Sequence, residues 1–214
     1  MTGDRRVQSR LSYRRGIPSL RWGDTPHSVA PYVPTPLKVV RKMLSLANVG
    51  PEDVVYDLGC GDGRILFTAI EEFDAVEAVG YDINSALCES LKMKIENKGL
   101  GDRIRAVNGN FFLADLSPAS VVTLYLTTSG NSKLRPKLEE ELGEGSRVVS
   151  HDFPIYNWAT DRPAPGDHYN LGSHKIYLYN LPDAYQRKMK ALRSADEASR
   201  WKRLRDLLLR ENAR

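Results

Sequence analysis

A glycine-rich turn near residue 60 holds the residue types in this chain that are most typical of a ligand site. The segment reads Asp57-Leu-Gly59-Cys-Gly61-Asp-Gly63-Arg64 and follows the apolar residues 54–56. Glycines allow a backbone to adopt positive φ angles and to pass close to a ligand. A dinucleotide-binding turn has glycine at its first, third and sixth positions, whereas the sixth position here is Arg64. The turn is therefore expected to bind a different nucleotide-like ligand.

Polar groups that can bind a nucleoside follow the next two predicted strands. Asp82, with Ile83 beside it, ends the second strand, where a carboxylate can accept hydrogen bonds from both hydroxyls of a ribose. After the third strand, the Asn110 side chain and the N–H of Phe111 can contact the edge of an adenine. The charge of Asp57 disfavours a pyrophosphate and favours a ligand that carries an ammonium and a sulfonium group. These groups together predict S-adenosylmethionine as the ligand.

The elements that must position these groups alternate along the chain. Apolar strands are predicted at 54–56, 78–81, 104–107, 121–126 and 147–150, and helices at 37–47, 64–72, 84–97 and 134–142. Such alternation predicts an α/β fold with a largely parallel sheet covered by helices on both faces. A later run, 175–181, is expected to pair antiparallel. Thr35 is predicted to cap the first helix, with Pro36 as its first residue.

The charge divides the 214-residue chain into three parts. The whole chain carries +4, but residues 1–29 hold six arginines against two acids, and residues 183–214 hold ten basic against five acidic residues. The middle, 30–182, holds 15 basic and 20 acidic residues. We therefore predict a flexible basic arm (1–29), one folded domain (30–182) and a basic amphipathic helix (183–214). The basic ends could contact nucleic acid, and the helix could pair two copies of the chain.

Several protein classes are excluded by composition. No apolar run reaches the roughly 18 residues of a membrane-spanning helix, and the arginine-rich start has no apolar core of a secretory signal. Two cysteines, Cys60 and Cys88, are too few for a disulfide framework or a four-cysteine zinc site, and no metal-binding set is predicted. A reducing compartment, and hence the cytoplasm, is expected.

Four further segments give the chain a family resemblance. They are Pro31-Tyr-Val-Pro-Thr-Pro36, Gly109-Asn-Phe-Phe112, Val121-Val-Thr-Leu-Tyr-Leu-Thr-Thr128, and Leu134-x-Pro-x-Leu together with Arg147-Val-Val-Ser-His-Asp-Phe153. With the glycine turn, they make residues 30–181 resemble class I S-adenosylmethionine-dependent methyltransferases. Within that class the chain resembles the broad-specificity protein lysine methyltransferases of archaea and the related mitochondrial enzymes that modify ATP synthase.

The resemblance implies a fold and a set of cofactor contacts. The fold is a Rossmann-like, doubly wound sheet of seven strands, mostly parallel, with a reversed last strand. The segment 158–173, rich in Pro, Gly and Asp, departs from the family pattern where the sixth strand is expected. In the family the proline–threonine segment folds over the methionine part of the cofactor. The expected cofactor-binding residues are Tyr32, Val33, Pro34, Thr35, Asp57, Gly59, Gly61, Gly63, Asp82, Ile83, Asn110, Phe111 and Leu126.

A lysine side chain is the acceptor that fits the segment after the fourth strand. Methylation of a base amino group usually needs an Asn/Asp-Pro-Pro-aromatic motif there, and arginine methylation needs two glutamates, whereas this chain reads Leu-Thr-Thr-Ser-Gly from residue 126. Desolvation beside a sulfonium would lower the pKa of an incoming lysine. His151 could relay a proton or be structural, and Asp152 could attract the ammonium. The candidate catalytic residues are Tyr32, Leu126, Thr127, Thr128, His151 and Asp152.

The predicted function is therefore transfer of a methyl group from S-adenosylmethionine to lysine ε-amines of protein substrates. Two alternatives stay open at this point. One is methylation of RNA or a small molecule on the same fold, and the other is a scaffold that binds the cofactor without turnover. The acidic middle part of the chain favours cationic, lysine-bearing partners.

Overall fold

The computed structural model of the chain describes residues 29–162 and 166–186. The predicted basic arm and most of the predicted C-terminal helix lie outside these residues. The strands are β1 (Val54–Leu58), β2 (Glu77–Asp82), β3 (Ile104–Asn108), β4 (Val121–Leu124), β5 (Arg147–His151), β6 (Tyr169–Leu171) and β7 (His174–Asn180). The helices are α1 (Leu37–Leu46), α2 (Arg64–Glu71), α3 (Ser85–Asn97) and α4 (Thr128–Glu141).

The strands form one seven-stranded sheet in the order β3-β2-β1-β4-β5-β7-β6. Strands β1 to β5 are parallel where they pair, and β7 runs antiparallel to both β5 and β6. The predicted mostly parallel sheet with a reversed last strand is confirmed. The irregular segment 158–173 contains β6 near its end, so the sixth strand is present but only three residues long.

The sheet separates two apolar cores because successive strand residues point to opposite faces. Val55, for example, packs into the core that contains α1, α2 and α3, whereas Tyr56 packs into the core that contains α4. The same alternation holds for Val121 and Val122 in β4. Both faces of the sheet are therefore covered by helices, as the strand–helix alternation predicts.

The starts of two helices differ from the prediction. Pro36, not Thr35, occupies the N-cap position of α1, with no side-chain hydrogen bond to the first turn. The predicted cap is wrong because the Thr35 hydroxyl is turned to a partner distant in sequence, Nδ1 of His151, at 3.2 Å. Helix α4 begins at Thr128, six residues earlier than its leucine spacing indicates, because the Thr127 hydroxyl caps it by accepting from Gly130 N–H at 3.1 Å.

Within the described residues, no helix combines the length and the apolar character that a membrane span requires.

Candidate active site

A cleft of about 1120 Å³ opens at the carboxyl ends of the parallel strands β1, β2, β3 and β4. This is the edge at which open parallel sheets bind their ligands. All but one of the residues expected to bind the cofactor line it, the exception being Gly63. The lining residues from that set are Tyr32, Val33, Pro34, Thr35, Asp57, Gly59, Gly61, Asp82, Ile83, Asn110, Phe111 and Leu126.

The turn after β1 is shaped by glycines and tied to the neighbouring strand. Gly59 and Gly61 have φ angles of 99° and 52°, in the region that residues with a Cβ rarely adopt. The backbone N–H groups of Gly59 and Cys60 both donate to the carbonyl oxygen of Tyr81, at 2.8 and 3.0 Å. A Cβ on Gly61 would lie 2.4 Å from Cε2 of Tyr32, so the tyrosine ring lies directly on the turn. The turn, which has no side chain at Gly59 or Gly61, forms the floor of the cleft.

Gly63 serves a different contact. It precedes α2 with a φ of 79°, and a Cβ there would lie 2.3 Å from Cδ1 of Leu91 in α3. Gly63 does not line the cleft. Its missing side chain lets the start of α2 pack closely against α3.

The carboxylate of Asp82 is held in place from both sides at the end of β2. Its Oδ2 accepts from the N–H of Gly61 and its Oδ1 from the N–H of Asn84, each at 2.9 Å. Each carboxylate oxygen has a further lone pair, and the side chain lines the cleft. A pre-oriented carboxylate at this position can accept hydrogen bonds from vicinal hydroxyls of a ligand.

Asp57 is a buried acid at the bottom of the same cleft. Its side chain is 4% exposed, and its Oδ1 accepts from the hydroxyl of Thr123 at 2.8 Å. Burial raises its pKa to about 7, a rise to which the charges of Asp82 and Asp62 also contribute. A ligand cation next to Asp57 would therefore stabilise the ionised form of its carboxylate.

Asn110 shapes the cleft wall after β3. Its Oδ1 accepts from the N–H of Phe112 at 3.0 Å and so begins a short 3-10 turn, Phe111–Leu113. The rings of Phe111 and Phe112 lie 4.8 Å apart and both residues line the cleft. An amide beside two aromatic rings is a suitable wall for a flat heterocycle.

The proline-rich segment 29–36 lies along the cleft and is fixed by three contacts. Nη1 of Arg64 donates to the carbonyl oxygen of Thr35 at 2.8 Å, and Arg64 is itself paired with Asp62. The Thr35 hydroxyl meets His151, and the Thr127 hydroxyl donates to the carbonyl oxygen of Val29 at 2.9 Å. Arg64 thus holds the segment that covers the cleft. In the sequence it is notable only as a departure from the dinucleotide-binding pattern.

The residues predicted to act on the acceptor divide into two groups. Tyr32 and Leu126 line the cleft, but Thr127, Thr128, His151 and Asp152 do not. Thr127 caps α4, and Thr128 is the first residue of that helix. His151 is completely buried, and burial lowers its pKa to about 4.

Tyr125 stands between the cleft and His151. It lines the cleft, and its ring centroid lies 3.9 Å from that of His151. Its hydroxyl is 3.5 Å from Oδ2 of Asp152. The aromatic character of Tyr125 next to Leu126 is the sequence signal that could have identified it as a site residue.

Comparisons with known proteins place this cleft in context. Residues 57–162 match the family model described as the ANTKMT methyltransferase domain. The chain is 49% identical over 154 residues to a protein-lysine N-methyltransferase of Saccharolobus islandicus, covering 72% of this chain and 94% of that protein. It is 32% identical over 151 residues to the adenine nucleotide translocase lysine N-methyltransferase of Mus musculus, covering 71% of this chain and 63% of that protein.

One solved structure is similar at the level of both sequence and fold. The crystal structure of an RNA methyltransferase from Salinibacter ruber, in complex with S-adenosyl-L-homocysteine, is 43% identical to this chain with a TM-score of 0.66. The match covers 71% of this chain and 95% of that one.

Proposed function

The chain belongs to the family of protein-lysine N-methyltransferases, and we propose that it transfers the methyl group of S-adenosylmethionine to lysine ε-amines of protein substrates. The observation that carries this proposal is the 49% identity to the Saccharolobus enzyme, of which this chain spans 94%. The geometry of the cleft supports it at each of the three parts of the cofactor.

The cleft fits S-adenosylmethionine by the chemistry of its lining. The oriented Asp82 carboxylate suits the two ribose hydroxyls, and Asn110 with Phe111 suits the adenine. Asp57 suits the ammonium group, because a buried acid with a pKa of about 7 ionises beside a cation. The positive φ angles at Gly59 and Gly61 shape the turn that the ligand approaches, and the Tyr32 ring already lies against Gly61. When bound, S-adenosylmethionine supplies a methyl group on a positively charged sulfur, which is an excellent leaving group.

The acceptor end of the cleft is aromatic and apolar. Tyr32, Tyr125 and Leu126 line it, and we assign them the task of desolvating the incoming lysine. A lysine with a pKa near 10.4 is neutral about once in 2,500 at pH 7, equivalent to roughly 4.6 kcal/mol, so lowering that pKa is the main contribution that the walls can make. The remaining contribution of the cleft to methyl transfer is to position the amine in line with the methyl group.

His151 and Asp152 act on this end of the cleft indirectly in our proposal. Both lie behind Tyr125, which separates them from the lysine. Their role is then to hold the Tyr125 ring and Thr35 in place, and Thr127 and Thr128 serve to start α4. The proton released by the lysine leaves to solvent through the open side of the cleft.

Methylation of RNA is the second candidate, because the Salinibacter ruber protein of similar fold is described as an RNA methyltransferase. The charge of the chain separates the two candidates in part. Residues 30–182, which contain the cleft, carry 20 acids against 15 bases, and this favours a cationic protein segment over a phosphate backbone. An RNA substrate would have to be held by the basic ends.

The test uses the full chain, S-adenosylmethionine with a labelled methyl group, and a cell lysate divided into protein and RNA fractions. We expect the label in the protein fraction, resistant to nuclease and removed by protease. Mass spectrometry should place it on lysine ε-amines. Label that disappears on nuclease treatment and is absent from lysine would overturn the proposal in favour of RNA.

Two variants control the assay. At a limiting concentration of S-adenosylmethionine, Asp82→Ala should label less because the ribose contact is lost, whereas Asp74→Asn should label like the wild type. Asp74 lies before the opposite end of β2 and pairs with Arg103 on the surface. Unlabelled lysate together with retained cofactor binding in the wild type would point to a scaffold without turnover.

We also propose that the protein works in the cytoplasm, since Cys60 and Cys88 are free, buried thiols of the kind that a reducing compartment preserves. Contact with nucleic acid through the basic ends and pairing through the C-terminal helix stay predictions. Both concern segments that lie almost wholly outside the described residues.

A further inference from the structure

Three side chains at the adjoining ends of two neighbouring strands meet beside the cleft. Nε2 of His151 lies 3.0 Å from Nδ1 of His174, and each of these nitrogens lies 3.2 Å from Oδ2 of Asp152. The antiparallel pairing of β5 with β7 sets His151 opposite Ile176, so His174, two residues from Ile176, is on the same face as His151. The three atoms form a nearly equilateral triangle.

Protons alone cannot satisfy this triangle when both histidines are neutral. A ring nitrogen of a neutral histidine is either a donor or an acceptor, and an ionised carboxylate only accepts. If one of the two nitrogens carries a proton, the other faces Oδ2 with lone pair against lone pair. If both carry protons, the two donors face each other at 3.0 Å. One of the three contacts is therefore always unfavourable.

A metal ion satisfies all three atoms at once. For a metal about 2.0–2.1 Å from each ligand, adjacent ligand atoms lie about 2.8–3.0 Å apart in octahedral and about 3.3–3.4 Å apart in tetrahedral geometry. The observed 3.0–3.2 Å lies between these values. Within the residues that the structure describes, these three form the cluster of His, Cys, Asp or Glu whose ligand atoms come close enough to hold an ion.

The groups around the triangle are arranged as they are around metal ligands. The other ring nitrogen of His151, Nδ1, meets the hydroxyl of Thr35, a contact that can fix the tautomer with Nε2 unprotonated. Oδ1 of Asp152 accepts from the N–H of Lys175 at 2.8 Å, which orients Oδ2 towards the two rings.

The ligand set also indicates the class of ion. Two imidazoles and one carboxylate suit divalent first-row transition metals such as zinc, and they leave positions open for solvent. Magnesium and calcium prefer oxygen ligands throughout. The side chains of Asp152 and His174 are about one-quarter exposed, so an ion can enter from solvent, while His151 forms the buried base. We propose that His151, Asp152 and His174 bind one divalent transition-metal ion of the zinc class.

The site lies behind the cleft wall, so this proposal does not depend on the methyl-transfer reaction. A sequence-based search misses it because His151 and His174 are 23 residues apart and meet only through the pairing of β5 with β7. An ion there would fix His151, and through it Thr35 and the Tyr125 ring, both of which line the cleft.

The test is metal binding to the tag-free full chain after treatment with a chelator. We expect one Co²⁺ per chain, seen as visible absorption, and displacement of that Co²⁺ by Zn²⁺ but not by excess Mg²⁺. His174→Asn should weaken Co²⁺ binding by more than the 10–100-fold that loss of an outer partner typically causes, and Thr35→Val should fall in that range. Asp152→Asn should act like His174→Asn.

The variants are chosen so that the fold survives. His174 is partly exposed, and asparagine tolerates the positive φ of 58° at position 152 and keeps an acceptor for Lys175 N–H. The matched control is His168→Asn, which removes another partly exposed histidine paired with an aspartate, Asp167, at 3.2 Å. Equal Co²⁺ affinity in the wild type, His174→Asn and His168→Asn would overturn the proposal, as would the absence of saturable binding in the wild type.

Discussion

The hydroxyl of Thr35 lies 3.2 Å from Nδ1 of His151, joining two buried side chains that are 116 residues apart in the sequence. Thr35 belongs to the segment that covers the cleft, and His151 ends β5. The carbonyl oxygen of the same threonine accepts from Arg64 at 2.8 Å, so one residue is held by the sheet through its side chain and by α2 through its backbone. Thr35 is the point at which the cover is attached to the fold.

Replacing Thr35 with valine tests this attachment. Valine has nearly the same shape but no hydroxyl, so Nδ1 of His151 loses its partner in a buried environment. We expect the free energy of unfolding to fall by about 1–3 kcal/mol. The measurement is urea unfolding in the presence of a chelator, with cofactor affinity measured on the same samples.

Thr35→Ser is the matched variant, because it keeps the hydroxyl and loses only a methyl group. Thr35→Ser should therefore keep most of the stability and cofactor affinity that Thr35→Val loses. Equal stability of the valine variant and the wild type would show that the contact with His151 contributes nothing.

Replacing Asp82 tests the proposed ribose contact. Asp82→Ala should weaken S-adenosylmethionine binding by about 1.5–3 kcal/mol, because hydrogen bonds to a charged group are lost. Asp82→Asn keeps an acceptor for the N–H of Gly61 and should lose less. Isothermal calorimetry measures both.

The surface variant Asp74→Asn controls for the loss of an acid from the same region of the chain. Asparagine tolerates the positive φ of 57° at this position, so the affinity of this variant should match that of the wild type. Unchanged affinity in Asp82→Ala would remove Asp82 from the cofactor site.

Local sequence patterns were sufficient to predict the sheet and the floor of the cleft. Strand β1, the glycine turn and α2 are consecutive, so Asp57, Gly59 and Gly61 could be placed at a strand end from their spacing alone. Asn84 is a similar case: an asparagine just before a helical pattern predicts an N-cap, and its side chain caps α3 by accepting from Leu87 N–H at 3.2 Å.

The parts that sequence patterns could not predict depend on contacts between distant residues. Thr35 has the sequence signature of a helix cap, but its hydroxyl is used by His151, and tertiary contacts override local preference. His151 ends its strand next to the cleft, as expected, yet Tyr125 covers it, which no local pattern reveals. The cluster with His174 likewise requires the antiparallel pairing of β5 with β7.

Replacing Gly63 separates packing from ligand contact. An alanine there adopts an unfavourable left-handed φ, which costs about 1–2 kcal/mol, and its Cβ meets Leu91, which costs about 1–3 kcal/mol more. We expect the free energy of unfolding to fall by the sum of these effects. Below the unfolding transition, the affinity for S-adenosylmethionine should be unchanged, because Gly63 does not line the cleft.

The double variant Gly63→Ala/Leu91→Ala provides the control, since a smaller residue at 91 makes room for the new Cβ. Its loss of unfolding free energy should be smaller than the sum of the losses in the two single variants. A loss of cofactor affinity of tenfold or more in folded Gly63→Ala would instead assign this glycine to the cofactor, as its place in the glycine turn first indicates.

Asp57→Asn tests the role of the buried acid through pH. The pKa of Asp57 is about 7 in the folded protein, against an ordinary value of 3.8. Between these two pH values the folded state keeps a proton that the unfolded state has lost, so the free energy of unfolding falls as the pH rises. The shift of about three units corresponds to roughly 4 kcal/mol, lost progressively from pH 4 to pH 7 and constant above.

Asparagine keeps the acceptor for Thr123 and cannot ionise, so the variant should escape this loss. Relative to the wild type without ligand, it should be about equally stable near pH 4 and more stable by up to roughly 4 kcal/mol at pH 8. Urea unfolding at both pH values measures the difference in stability between the variant and the wild type. The contributions of other titrating groups are the same in both proteins and cancel.

The same variant should bind S-adenosylmethionine more weakly at pH 8, because the ammonium group of the cofactor loses its carboxylate partner. A stability difference that does not change with pH would mean that Asp57 is already ionised in the folded protein, and its proposed pairing with the ammonium group would then need another basis.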